Sequence, residues 1–85
     1  MMTYEIKANW TRHDGKEVKP FDEIATTFEI ATKDGLNAIK FLKENKTRFT
    51  WIEIPNEYQM TKYFKSFELT ICEATTGKNI YKITK

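Results

Sequence analysis

Apolar and polar residues alternate along the first part of the chain. Between residues 3 and 12 every second side chain is apolar, in the order Tyr4, Ile6, Ala8 and Trp10. A period of two predicts a half-buried strand, with one face on a core and the other in water. The sequence HDGK follows and supplies an Asp-Gly pair, which favours a tight turn because glycine adopts positive φ without a steric penalty.

The segment 21–32 fits two patterns. Phe21, Ile24, Ala25 and Phe28 have helical spacing, whereas Ile24 and Phe28 also belong to an alternation that continues to Ile30. The segment contains several threonines and isoleucines, whose branched side chains are restricted at χ1 and fit strands better than helices. We therefore predict a strand here.

The segment DGLNAIKFLKENK, residues 34–46, is predicted to be a helix. Asp34 is a residue type that caps free N–H groups at the start of a helix. The apolar side of this helix would consist of Leu36, Ala38, Ile39, Phe41 and Leu42. The lysines lie on the opposite side and towards the end, where positive charge suits the helix dipole.

More strands are predicted in the second half of the chain. Residues 48–54, RFTWIEI, have apolar groups on both faces, which indicates a central strand or a strand with one exposed aromatic ring. In the final segment Phe67, Leu69 and Ile71 alternate, TTGK supplies a turn, and the residues after it return as a second strand. This arrangement predicts a C-terminal hairpin.

Residues 56–66 allow a helix or a strand, and the two predict different surfaces. As a helix capped by Asn56, the segment presents one apolar stripe, formed by Met60, Tyr63, Phe64 and Phe67. As a strand leading into 67–71, it would turn Lys65 inward, and a buried ammonium would require a bulge to re-aim it. The helix is the preferred interpretation because it leaves its lysines in water.

Together these elements predict an α+β fold, a small two-layer domain with an antiparallel sheet of about 4–5 strands packed against one or two helices. A ferredoxin-like topology and a single curled antiparallel sheet with one helix both fit. The 85 residues have room for one domain, residues 1–85. The 12 aromatic residues compensate for the short chain, because each can bury about 150–250 Å².

Charge and cysteine content narrow the class of protein. The net charge is +2, with five basic and seven acidic residues in 1–39 and nine basic and five acidic residues in 40–85. This balance predicts a basic patch at most and is too weak for a dedicated nucleic-acid binder. A single cysteine, Cys72, fits a reducing compartment, and the absence of long apolar runs predicts no membrane association. We therefore expect a cytoplasmic protein.

The residues that could carry out chemistry form no recognised motif. His13 is the only histidine and lies in a polar turn, and Cys72 lies in a predicted strand without a basic neighbour. Gly77-Lys78 resembles the end of a phosphate-binding loop, but Cys72 stands where the first glycine is required. No metal-ligand spacing accompanies the carboxylates. The sequence therefore predicts no catalytic residue, no metal and no cofactor, and the protein is not expected to be an enzyme.

Two binding functions remain. The first is a small binding or regulatory protein that acts through protein contacts or self-associates through a sheet edge, either the last strand or the one after Pro20. Its composition is typical of an accessory protein of a phage or mobile element. The second is weak nucleic-acid binding through a basic-aromatic patch, for which the candidate residues are Arg48, Trp51, Lys62, Tyr63 and Lys65.

Overall fold

A computed structural model describes residues 2–16 and 20–85. These residues form one six-stranded antiparallel sheet with a single short helix. The elements are β1 (Tyr4–Arg12), β2 (Phe21–Lys33), β3 (Leu36–Lys43), β4 (Phe49–Glu53), α1 (Glu57–Tyr63), β5 (Phe64–Glu73) and β6 (Asn79–Thr84). The strand order is β4-β3-β2-β1-β5-β6. The chain therefore runs through four neighbouring strands and crosses by α1 to the other side of β1.

The sheet curls into a half-barrel whose inner face is apolar. Side chains from non-adjacent strands meet there, and the largest of those that are completely buried are Ile6, Ile39, Phe41, Leu69 and Ile71. The register explains this, because Ile6 lies opposite Ile71, and Ala8 lies opposite Leu69. The alternation predicted for residues 3–12 and for the C-terminal hairpin is confirmed, with the turn at residues 74–78.

A β-bulge accounts for the mixed pattern of the segment 21–32. This segment is a strand, as predicted, but its register with β3 shifts between Ala25 and Thr27. The extra residue changes which side chains point inward. Ala25 is fully buried and Phe28 packs against the core, while Ile24, directly before Ala25 in the sequence, is exposed. The helical spacing of the apolar residues is thus the result of a bulge and not of a helix.

The helix predicted over residues 34–46 is wrong, because this segment is strand β3 and the turn before it. Asp34 and Gly35 have φ values of 53° and 80°. Two consecutive residues with positive φ form the turn that joins antiparallel strands, and Lys33 pairs with Leu36 across it. Both Ala38 and Ile39 are fully buried although they lie on opposite faces, so β3 has apolar residues on both sides and resembles a helical stripe.

The predicted α+β, two-layer fold class is therefore wrong. The described part of the chain is mostly β, with six strands and one helix of seven residues. The curled sheet with one helix is closer to the structure than the ferredoxin-like alternative, but its helix is at 57–63 and not at 34–46. For the segment 48–54 the central position is wrong, since β4 lies at an edge of the sheet, whereas the alternative of a strand with one exposed aromatic ring is confirmed by the half-exposed Phe49.

The helix predicted within residues 56–66 is confirmed over Glu57–Tyr63. Asn56 caps it through a reciprocal pair of hydrogen bonds: its side chain accepts from the Gln59 N–H at 2.8 Å, and its own N–H donates to Gln59 Oε1 at 3.0 Å. The predicted apolar stripe continues only in part, because Phe64 starts β5 and Tyr63 is 46% exposed. Lys65 lies where the β1–β5 register shifts, and it is exposed.

Replacing Gly35 by alanine tests the turn against the helix that the sequence suggested. At φ 80° an alanine pays a penalty of about 1–2 kcal/mol, so we expect Gly35→Ala to lower the free energy of unfolding by that amount. Gly35→Asn should lower the free energy of unfolding by less, because asparagine tolerates this conformation. Urea denaturation measures both variants. A gain in stability for Gly35→Ala, as a helix would show, contradicts the hairpin.

Candidate functional site

A groove of about 570 Å³ lies between α1, β4 and the inner face of the sheet. It exists because α1 packs mainly against β5, and none of its residues is buried. The helix thus covers only part of the inner face. The curl brings β4 to the other side of the opening, where Ile52, Glu53 and Pro55 form the wall.

The floor of the groove is apolar and rich in aromatic rings. Phe67 lies at its centre, with its ring centroid 5.4 Å from that of Phe64 and 6.2 Å from that of Trp10. The remaining apolar lining residues are Ala8, Phe21, Ile52, Pro55 and Leu69. Clefts of about 300–1,000 Å³ with such a lining, and few polar groups, are typical ligand-binding sites.

The polar groups at the groove carry opposite charges. Arg12 and Glu53 line it from β1 and β4, and Gln59 and Tyr63 line it from α1. Arg12 also contacts Asp14, with 3.5 Å between Nη2 and Oδ2. Among the described lining residues there is no histidine, cysteine, serine or lysine. The groove therefore offers mainly apolar burial, with the Arg12 guanidinium as its one cation.

His13, the only histidine, supports the position of α1. Its Nε2 lies 3.0 Å from the carbonyl oxygen of Thr61, and its backbone N–H donates to the carbonyl of Tyr63 at 3.3 Å. At the same end of the helix, Lys85 Nζ donates to the carbonyls of Met60 at 2.9 Å and Phe64 at 2.6 Å. The bonds from His13 satisfy carbonyls of the last turn of α1, which have no partner within the helix. Those from Lys85 join the C-terminus of the chain to the junction of α1 and β5, where the Met60 carbonyl also accepts from the Phe64 N–H.

The structure separates the five predicted binding residues. Lys62 and Tyr63 are together on α1, where Lys62 Nζ is 5.3 Å from the ring centroid of Tyr63 and 5.5 Å from that of Tyr58. Hydrogen bonding to Tyr58, followed by the interaction with Tyr63, raises the pKa of Lys62. Lys65 is exposed in β5. Trp51 is in β4, and Arg48 directly precedes that strand.

Trp51 belongs to a second surface, on the outer face of β2, β3 and β4. It lies opposite Lys40 in the register, and Lys33 and Lys40 place their ammonium groups 5.5 and 5.6 Å from its ring centroid. Lys40 is also 4.5 Å from the ring centroid of Phe49, which is half exposed. We refer to these four residues, Lys33, Lys40, Phe49 and Trp51, as the outer cluster.

The sequence-based prediction missed the two lysines of the outer cluster. The predicted helix places Lys40 on its solvated side, and Lys33 is 18 positions from Trp51 in the sequence. The signal that could have found them is the Asp34-Gly35 pair, which places β2 and β3 side by side. Exposed cation–π contacts of this kind contribute about 0.5–1 kcal/mol each, so they do not fix the lysines.

The outer face also carries a group of charged residues on β1 and β2. Partial loss of hydration and the nearby Glu5 carboxylate raise the pKa of Asp22. A hydrogen bond from Lys7 to Glu5, with 3.2 Å between Nζ and Oε1, raises the pKa of Lys7. Cys72 Sγ is 3.9 Å from the Glu5 carbonyl oxygen. Within residues 2–16 and 20–85, no three potential ligand residues are grouped to hold a metal ion.

Neither the helices of the structure nor similarity to known proteins indicates a function. In the part of the chain that the structure describes, no helix has the length and hydropathy needed to span a membrane. No family model, no curated protein and no solved structure matches this chain. The function has to be inferred from the chemistry of the groove and of the outer cluster.

Replacing Asp22 by asparagine should stabilise the protein at neutral pH. Folding raises the pKa of Asp22 above its ordinary value of 3.8. The favourable contribution of Asp22 to the free energy of unfolding is therefore present at lower pH and is lost as the pH rises through the folded-state pKa. Thermal unfolding should therefore show a higher midpoint for Asp22→Asn than for the wild type at about pH 7, and a smaller difference at about pH 3.

Asp14→Asn is the matched control for this measurement, because Asp14 contacts Arg12 and its neutralisation removes an attraction. This control should not raise the midpoint at neutral pH. An Asp22→Asn variant that is less stable than the wild type at neutral pH would contradict the repulsion between Asp22 and Glu5.

Proposed function

We propose that the protein is a non-catalytic binding or regulatory protein that acts through protein contacts, with the groove as its docking site. The observation that carries this proposal is the position of the groove beside the free edge of β4. An extended segment of a partner can pair with β4 and place alternate side chains into the groove, which is the recognition mode called strand addition.

The two edge strands of the sheet favour binding by strand addition. β4 and β6 are the two edge strands, so each has a row of backbone groups without a strand partner among the described residues. The strand after Pro20, which was predicted as an edge, is β2 and lies between β1 and β3. Ile52 of β4 lines the groove. A strand added beside it would present every second side chain to the same face.

The chemistry of the groove specifies the kind of segment that fits. A leucine or phenylalanine side chain gains about 1.5–3 kcal/mol on full burial, so two such side chains at alternate positions supply useful affinity. Arg12 favours an acidic residue in the segment, whereas the side chain of Glu53 lies on the same face of β4 as Trp51. The partner is therefore a protein with an extended segment of alternating apolar residues and at least one acidic residue.

A cytoplasmic location and an accessory role in a phage or mobile element remain part of this proposal. A single cysteine, which cannot form an intramolecular disulfide, supports a reducing compartment. Nucleic-acid binding is the alternative function. The structure separates the predicted binding residues into different surfaces, and only Trp51 has lysines from neighbouring strands on the same face.

Selection from a displayed library of random peptides tests the docking site. We expect enrichment of peptides with alternating apolar residues. Titrated into the Trp51→Phe variant, in which Trp10 is the only tryptophan, they should shift Trp10 emission to the blue because the ring loses water contact. N-methylation of the peptide amides that hydrogen-bond to β4 should abolish binding, because strand addition requires these amides as hydrogen-bond donors.

Tyr63→Ala and Tyr58→Ala form a matched pair for this test. Both tyrosines are exposed and contact Lys62, but only Tyr63 lines the groove. Tyr63→Ala should weaken peptide binding about tenfold, because an aromatic residue at an interface typically contributes more than about 1 kcal/mol. Tyr58→Ala should leave the affinity unchanged within about twofold. Equal effects of the two variants, or no enriched peptide, would refute the docking site.

A further inference from the structure

We infer that the outer cluster is a binding site for single-stranded nucleic acid, separate from the groove. In this site Trp51 and Phe49 are the surfaces on which bases stack. Lys33, Lys40 and the exposed Arg48, which directly precedes Phe49 in the chain, contact the phosphates. Aromatic rings bordered by cations on an open sheet face are the usual means by which proteins bind single strands without sequence preference.

The spacing of the two rings favours a single strand over a duplex. Phe49 and Trp51 are two residues apart in β4 and face the same side, so their Cα atoms are about 6.8 Å apart. Successive bases in a B-form strand rise by about 3.4 Å. Two neighbouring bases can each contact one ring only when they separate, which an unpaired strand does readily and a duplex does not.

The side chains over the rings can be displaced by a strand. The next cross-strand row on this face consists of Ala31, Ala38 and Glu53, and Ala38 is fully buried because longer neighbouring side chains cover it. The lysines that now approach the rings are long and exposed or half-exposed, and base stacking is stronger than an exposed cation–π contact. A base can therefore replace an ammonium group over a ring, and the ammonium can then contact a phosphate.

Two carboxylates limit the affinity of this site. Glu29 lies opposite Lys40 in the register, with 3.7 Å between Oε1 and Nζ, and Glu53 is on the same face. The three cations of the site therefore exceed its acids by only one charge. We expect weak binding that depends strongly on salt, with stacking as the main attraction.

Fluorescence of the Trp10→Phe variant tests the site, because Trp51 is then the only tryptophan. Oligothymidylate of about 12 nucleotides should quench Trp51 emission as a base stacks on the ring. With three phosphates contacted, the plot of log K against log salt should have a slope of about −2, so the affinity falls about 20-fold between about 50 and about 200 mM salt. A duplex of the same length should bind more weakly. No quenching at the lower salt concentration would overturn the inference.

Lys40→Gln and Lys62→Gln are the matched variants, since both lysines contact aromatic rings but lie on different surfaces. Lys40→Gln should weaken binding at least threefold and flatten the salt slope by about 0.7. Lys62→Gln should change neither. Trp51→Ala, followed by anisotropy of a labelled strand, should weaken binding at least fivefold, the lower end of what one stacked base contributes (about 5- to 150-fold). Equal losses for the two lysine variants would overturn the inference.

Two further measurements distinguish base stacking from simple charge attraction and the outer cluster from the groove. Oligoglutamate has negative charge but no bases, so it should not quench Trp51, and equal quenching by it would overturn the nucleic-acid assignment. Tyr63→Ala, which alters the groove, should leave quenching of Trp51 unchanged. Failure of the groove peptides together with intact Trp51 quenching would refute the docking site alone, and the reverse result would refute the outer cluster alone.

Discussion

The structure depends on how a single sheet buries its own apolar face. A two-layer domain covers such a face with helices, but the one helix among the described residues has seven residues, and none of them is buried. The sheet instead curls, so that Ile39 and Phe41 of β3 share one core with Leu69 of β5, although β2 and β1 separate these strands. Because the short helix covers only part of the hollow, a groove remains between it and β4. The candidate docking site is thus a consequence of the curl.

Local patterns in the sequence predicted the local features of the fold. The alternation around Ile6 gave β1, and the cap at Asn56 gave α1. The prediction failed where one pattern of apolar residues fits two kinds of secondary structure. Apolar residues at 38, 39, 41 and 42 occur both in an amphipathic helix and in a strand buried on both sides, and only the Asp34-Gly35 turn distinguishes them. This one error also made the predicted fold class wrong, because a strand in place of the helix removes the second layer.

The candidate sites were less predictable because they depend on contacts between distant residues. Tyr63 was recognised as part of an aromatic and basic stretch, but its groove neighbours Trp10 and Glu53 come from β1 and β4. Trp51 was recognised too, whereas its lysine neighbours come from β2 and β3. Grouping Arg48, Trp51, Lys62, Tyr63 and Lys65 by closeness in sequence joined two surfaces that the fold separates. Cross-strand register, which a sequence pattern does not specify, decides which ring meets which cation.

One edge strand contributes to both surfaces, since Ile52 faces the groove and Trp51 the outer cluster. Two sites influence each other only when an element between them has two arrangements that the ligands bind unequally. β4 is paired with β3 along its whole length, and the N–H of Ile54 extends this pairing by donating to the Asn37 carbonyl at 2.7 Å. A one-residue slip of β4 would exchange its two faces and expose Ile52. The core contacts of Ile52 and Ile54 oppose that slip, so we expect the two proposed surfaces to bind their ligands independently although one strand connects them.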